Sequence, residues 1–153
     1  MSPLIFLDID GVLNNTPWME KAGFGTLDPA NVEKLIRLIQ LVDADLVISS
    51  DWRFFHKYDV LCRRLVSEGI PNRFVGSTPC LEAEGKTDDE IVPRGLEIDA
   101  WLKNNNFNGL FCILDDRDDM EPHQGRLVQT DDNYGLLDRD VEQAISLLMC
   151  SSA

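Results

Sequence analysis

No segment of this 153-residue chain approaches the ~20 consecutive apolar residues that cross a bilayer, although hydrophobic residues make up 44% of it. A membrane span is thereby excluded, and a core of ordinary globular size is expected. Basic flanks are missing too. The apolar start has no cationic residue before it and runs into two aspartates, which is not the pattern of a signal peptide. Cysteines at metal-binding or redox spacing are also absent. Cys62, Cys80, Cys112 and Cys150 stand far apart, form no Cys-x-x-C and have no histidine at ligand spacing. That excludes a zinc ribbon and a dithiol motif, and implies reduced thiols in a cytoplasmic protein. Repeats, low-complexity tracts and long linkers are lacking, so residues 1–153 are expected to form one domain.

Basic side chains are scarce. Fourteen Lys and Arg face 27 Asp and Glu, for a net charge of −13. This excludes a broad footprint on nucleic acid or anionic membrane, while leaving room for a small basic pocket. Part of the acidic excess is gathered in Asp115–Asp119 and Asp131–Asp132. The two histidines, His56 and His123, sit in no catalytic or ligand pattern.

What is present begins with Leu4-Ile5-Phe6-Leu7-Asp8-Ile9-Asp10-Gly11. Leu4–Ile9 reads as a buried strand, on which Asp8 and Asp10 would share one face at its C-terminal end. Gly11 permits a sharp turn just beyond them. Like charges so close repel unless a cation lies between them or one is protonated, so the pair marks a place for a hard metal ion and carboxylate chemistry. The bland alternative is a solvated Asp-x-Asp-Gly turn.

Residues Asn14–Leu27 lack a period and read as a loop or small flap. Asp28-Pro29 starts a helix, with Val32, Leu35, Ile36, Ile39 and Val42 as its apolar stripe. Leu46–Ile48 is a second strand, ending at Ser49-Ser50. Trp52–Glu68 reads as helix, with Phe55, Leu61, Leu65 and Val66 facing inward and Gly69 stopping it. Arg73–Val75 is a short strand and Thr78–Val92 a polar loop. Pro93 opens a helix with Ile98, Trp101 and Leu102 inward, ended by Asn104–Asn106. Leu110–Leu114 runs into Asp115-Asp116, Leu127–Gln129 is a fifth strand, and Asp138 caps a last helix. Strands alternating with helices imply a three-layer α/β/α sandwich around a parallel, Rossmann-like sheet. Ligands bind such sheets beyond the strands' carboxyl ends. Asp8/Asp10, Ser49/Ser50 and Asp115/Asp116 all fall there.

Four elements in this order resemble the haloacid dehalogenase (HAD) superfamily of phosphohydrolases. Asp8-Ile9-Asp10-Gly11-Val12-Leu13 is similar to its first motif and Val47-Ile48-Ser49 to its second. Arg94 suits the basic third motif, and Ile113-Leu114-Asp115-Asp116 is similar to the fourth. Ser49-Ser50-Asp51-Trp52-Arg53, Arg94-Gly95-Leu96-Glu97-Ile98 with Trp101-Leu102, and Asp115-Asp116 with Asp119-Met120 resemble small HAD domains grouped with nucleic-acid-repair "Swiss army knife" proteins. Asp115-Asp116-Arg117-x-Asp119 is also similar to the acidic motif of phosphatases acting on the polymerase C-terminal domain.

The resemblance implies a Mg²⁺-dependent phosphomonoester hydrolase. Asp8 would be the nucleophile that forms an aspartyl-phosphate, and Asp10 the general acid and base. Mg²⁺ would take an Asp8 oxygen, the Asp10 carbonyl and a carboxylate of Asp115 or Asp116. Ser49 and Arg94 would hold the phosphoryl oxygens, with backbone N–H groups after Asp8, around Gly11, completing the cradle. Ser50 is the alternative to Ser49, and Lys86 the alternative to Arg94. Asp118 and Asp119 read as a solvated acidic loop, with Asp119 a candidate support for the metal shell. Arg53 reads as a substrate contact or a partner of Asp51 or Asp116. Trp52 and Trp101 read as core or pocket wall.

Neither interval between motifs has room for a substantial cap domain. By analogy an open site takes a macromolecular phosphate ester, here a polynucleotide end phosphate, and particularly a 3′-phosphate. Nucleotides and phosphoproteins are alternative substrates. A different class, a non-catalytic phospho-acceptor or binding domain, also uses Asp, Mg²⁺, Ser/Thr and a basic residue. It has no use for a second carboxylate such as Asp10.

Overall fold

The computed structural model describes residues 1–81 and 92–149. Five parallel strands form one sheet: β1 (Leu4–Leu7), β2 (Asp45–Ile48), β3 (Phe74–Ser77), β4 (Phe111–Asp115) and β5 (Leu127–Gln129), in the order β3-β2-β1-β4-β5. The helices are α1 (Thr16–Ala22), α2 (Pro29–Val42), α3 (Tyr58–Ser67), α4 (Arg94–Asn104) and α5 (Asp138–Met149). The chain thus has the Rossmann-like α/β architecture its alternating elements imply. No described helix is long and apolar enough to cross a membrane.

Strand alternation divides the core in two. Ile5, Leu7, Leu46, Ile48, Cys112 and Leu114 face one side, where they meet α2, α3 and α5 through residues such as Leu35, Leu65 and Val141. Leu4, Phe6, Val47 and Ile113 face the other, where α4 covers them with Ile98, Trp101 and Leu102. Each fully buried side chain of this kind contributes about 1.5–3 kcal/mol relative to exposure. Because β1 is central and buried on both faces, it reads as an unbroken apolar run.

Several local expectations change. β1 ends at Leu7 and the Asp8 N–H makes its last ladder bond, so beyond Asp8 the two-residue strand period no longer governs where Asp10 points. The Asn14–Leu27 interval contains α1, capped by the Asn15 side chain, which accepts from the Trp18 N–H; none of its residues is buried. Trp52–Glu68 is not one helix. A 3-10 turn at Asp51–Phe54 ends before α3 begins at Tyr58, and the break resets the helical phase. Phe55 (80% exposed) is left outside α3 by the break and faces solvent, and Val66 (38% exposed) lies off the Leu61–Leu65 stripe of α3, whereas Leu61 and Leu65 are core as expected. Asp138 is the first residue of α5 and pairs with Arg37; it is Asp140 that accepts the Leu137 N–H at this helix start. Within Gly11–Asp28 only α1 occurs, so no cap domain stands there. Lys86 lies outside the described residues.

Candidate active site

Register brings the site together. Leu7 pairs with Ile48 on one side and Leu114 on the other, so the next residues outward are Asp8, Ser49 and Asp115. The Asp8 N–H donates to the Leu114 carbonyl and the Ser49 N–H to the Leu7 carbonyl, each at the last rung. Carboxylate oxygens of Asp8, Asp115 and Asp116 lie within 4.8 Å of one another, with Asp8 and Asp115 buried. Gly11 (φ +83°) makes this possible, because a Cβ there would stand 2.5 Å from Asp116 Oδ2. The Gly11 N–H itself is already donated to Asn14 Oδ1, so its visible contribution is the shape of the turn.

Arg94, the first residue of α4, is 2% exposed and reaches into the cluster. One terminal nitrogen lies 2.8 Å from Asp115 Oδ2 and 3.5 Å from Asp8 Oδ2, and the other 2.7 Å from Asp51 Oδ1. Its helix start is fixed by the 115–121 loop. The Arg94 N–H donates to Asp119 Oδ2 and the Gly95 N–H to the Asp119 carbonyl, while a Cβ on Gly95 would stand 2.3 Å from Met120 backbone atoms. Asp119, bound to Arg117 through both oxygens, thus supports the cation and is no free member of a solvated loop.

Burial raises the Asp8 carboxyl well above its ordinary pKa; Asp115 and Asp116 push the same way and Arg94 opposes them. Asp116 is raised to about 6, by burial first and then by Asp115. Burial works against the charge of Arg94, but Asp115, Asp8 and Asp51 outweigh it and hold the guanidinium protonated. Three crowded carboxylates with one guanidinium retain an uncompensated negative charge, and an all-oxygen donor set of this kind fits a hard divalent cation.

Ser49 and Ser50 have separate positions. Ser50 Oγ accepts from the Trp52 N–H and caps the 3-10 turn. Ser49 Oγ is buried without a partner among the described residues, as is Arg94 Nε. Buried polar atoms left unpaired are rare and call for a ligand or an ion. Both belong to residues that the motif order nominates for phosphate.

Asp10 stands apart from the cluster and is exposed. One of its oxygens accepts from Asn14 Nδ2 at 2.9 Å and the other from Trp52 Nε1 at 3.0 Å. Asn14 and Trp52 fix this carboxylate, and neither had a local signal for that task. Beside it runs a groove of about 680 Å³ lined by Met19, Phe24, Trp52, Phe55, His56 and Arg64 with Asp51. On the far side of the cluster, Asp116 borders a cavity of about 450 Å³ with Gln129, Thr130, Asp131, Asp132 and Arg139.

Arg53 touches neither Asp51 nor Asp116. Its guanidinium pairs with Glu97 at 3.1 Å, both side chains 5% exposed, and donates to the Ser50, Thr78 and Pro79 carbonyls and to Thr78 Oγ1. It ties the end of β2 to β3 and α4. Trp101 is core, packed edge-on against Phe6, and His123 is bound to Asp99 away from the site.

Residues 4–141 match the family described as the HAD domain in Swiss Army Knife RNA repair proteins. No curated protein and no solved structure matches the chain.

Proposed function

This chain belongs to the family of HAD domains found in Swiss Army Knife RNA repair proteins, and we propose that it is a Mg²⁺-dependent phosphomonoester hydrolase acting through phospho-Asp8. The observation that carries this reading is one constellation. Buried Asp8 faces Asp115, Asp116 and Arg94, and two buried polar atoms, Ser49 Oγ and Arg94 Nε, still need partners. The oxygens of a phosphoryl group would supply them.

Asp8 attacks phosphorus in line and the ester oxygen leaves. Ser49 and Arg94 bind the equatorial oxygens, Arg94 balancing charge as it develops. Asp10, beside the groove, gives its proton to the leaving oxygen and later takes one from the water that cleaves the acyl phosphate. The side chains of Asp8, Asp115 and Asp116, with the Asp10 carbonyl, would hold Mg²⁺. When bound, the ion neutralises the nucleophile and the transferring group. Backbone N–H groups after Asp8 complete the cradle.

We assign the physiological ester to a polynucleotide end, engaged locally because the net charge of −13 opposes long contacts. A reducing, cytoplasmic setting suits Cys62 and Cys112, which are thiols here. A phosphate-release screen with and without Mg²⁺, across mononucleotides, 3′- and 5′-phosphorylated oligonucleotides and phosphopeptides, tests the assignment. No preference for the 3′-phosphorylated strands removes the end-phosphate reading.

Asp10→Asn is expected to lower kcat roughly 10²–10⁴-fold, the range for losing a general acid and base, while Mg²⁺ affinity changes little. Unaltered kinetics would remove its proton-transfer role.

The pH response follows from Asp116. Its folded pKa of about 6 lies above the ordinary 3.8, so between these values the metal-free native state holds a proton the unfolded chain has lost. Stability of the metal-free protein therefore falls as pH rises through that window, and Asp8 contributes with the same sign. A divalent cation competes with those protons. Its affinity should rise as pH climbs through the Asp116 range near 6, with Asp8 acting in the same direction, as calorimetric Mg²⁺ titrations would reveal; an affinity independent of pH contradicts the site.

A further inference from the structure

Two large apolar side chains are more exposed than any packing role explains: Phe24 at 91% and Phe55 at 80%. Neither ring stacks on another among the described residues. They line the same groove, one from the α1 side and one from the turn before α3.

The groove is preformed. Arg64, on α3, donates to the Gly25 carbonyl and so joins the two walls, while its guanidinium lies over the Trp52 ring at 6.0 Å. The α1 wall is tied internally by Trp18 Nε1 to Thr26 Oγ1, and from there to the Gly23 carbonyl.

Position decides what enters. Asp10 borders the groove and is the residue assigned to protonate the leaving oxygen, so the occupant is the leaving group of the ester. Charge narrows its chemistry. Asp10 and Asp51 lie at the cluster end, and Arg64, the one Lys or Arg of the described lining, is already engaged by Glu68 and Gly25. The walls thus offer aromatic faces and no spare cation for a second phosphate. Beyond the cluster, Asp116, Asp131 and Asp132 outnumber Arg139 along the cavity and disfavour a polyanion continuing that way. About 680 Å³ exceeds what a phenol ring needs and lies within the range of small-molecule sites.

We propose that the Phe24–Phe55 groove binds the unpaired nucleobase of the nucleoside whose phosphate is removed, stacking it beside Asp10. The proposal rests on the phosphatase reading of Asp8 and names its leaving group. A free nucleotide and the terminal nucleotide of a strand present the same base. A base still paired in a duplex cannot enter.

The test measures kcat/KM with Mg²⁺ on adenosine 3′-monophosphate, a single-stranded oligonucleotide with a 3′-phosphate, the same end in a blunt duplex, ribose 5-phosphate and a phosphotyrosine peptide. One or both unpaired base-bearing substrates should exceed ribose 5-phosphate by roughly 5- to 150-fold, the range for stacking one base. Which of the two leads separates the free nucleotide from the strand end. Phe24→Ala and Phe55→Ala, both at exposed positions that tolerate truncation, should bring that ratio down toward one. A ratio unchanged in both variants, equal rates on the duplex end, or preference for the peptide overturns the assignment. Hydrolysis of ribose 5-phosphate without base preference defeats this inference alone. No phosphate release from any substrate defeats the phosphatase reading and this inference together.

Discussion

Asp8→Asn should abolish phosphate release from a generic phosphomonoester, by on the order of 10⁴- to 10⁶-fold, while making the metal-free protein more stable. The first effect follows from chemistry. An asparagine amide has the shape of the carboxylate but cannot form the acyl phosphate, and losing a nucleophile removes nearly all of the rate it supports. The second effect follows from electrostatics. Asp8 is 5% exposed, and burial with Asp115 and Asp116 beside it raises its pKa. A group whose folded pKa lies above its unfolded value is destabilising once pH exceeds both, so a neutral residue there relieves the folded state. Arg94 would then balance Asp115 at 2.8 Å and Asp51 at 2.7 Å. Thermal unfolding with and without Mg²⁺ separates the two effects. The variant should melt above wild type without metal and lose most of the stabilisation Mg²⁺ confers. Full turnover in the variant would sink the covalent mechanism; a lower metal-free melting temperature would show that repulsion at Asp8 is already relieved.

Glu97→Ala should cost about 3–5 kcal/mol of stability, the range for leaving a buried charge without its partner. Arg53 would keep its contacts to the Ser50, Thr78 and Pro79 carbonyls but lose the carboxylate at 3.1 Å, and the Leu81 N–H would lose its acceptor. Replacing both residues, as Arg53→Met with Glu97→Leu, should cost less than Glu97→Ala alone, because no unpaired charge then remains. Urea unfolding of both variants checks this ordering. A loss below about 1 kcal/mol for Glu97→Ala would mean that water reaches the pair, as at a surface bridge. Activity should fall in the double variant, where the hold of Arg53 on the Ser50 carbonyl next to Ser49 is lost.

That ion pair also marks where sequence reasoning stops. Arg53 and Glu97 lie 44 positions apart, and nothing local indicates their contact. Arg53 beside Asp51 invites a local pairing, yet Asp51 turns to Arg94. Trp52 is half-buried against the core and also donates to Asp10, a second task that composition does not reveal. An inward Phe55 requires a helix continuous through residues 55–57, where the chain instead breaks, and Val66 lies beside the buried Leu61–Leu65 stripe of α3 and not on it. Ser49 and Ser50 could be exchanged on paper. In the fold, Ser50 takes the capping bond and Ser49 keeps its hydroxyl unpaired among the described residues.

The Asp-x-Asp-Gly segment shows the same division. By itself the sequence determined that an apolar run ends in two carboxylates, and that further Ser and Asp residues follow later strand-like runs. Parallel strands in register align their ends, so Asp8, Ser49 and Asp115 are legible as neighbours from the sequence, and the register bears this out. Only the tertiary structure decided that Asp8 is buried with Asp115 and Asp116 while Asp10 stands outside, held by Asn14 and Trp52. The physical reason is that β1 ends at Leu7. Up to that residue the hydrogen-bonded ladder sets side-chain direction through a local period; beyond it, direction depends on contacts made by residues far along the chain.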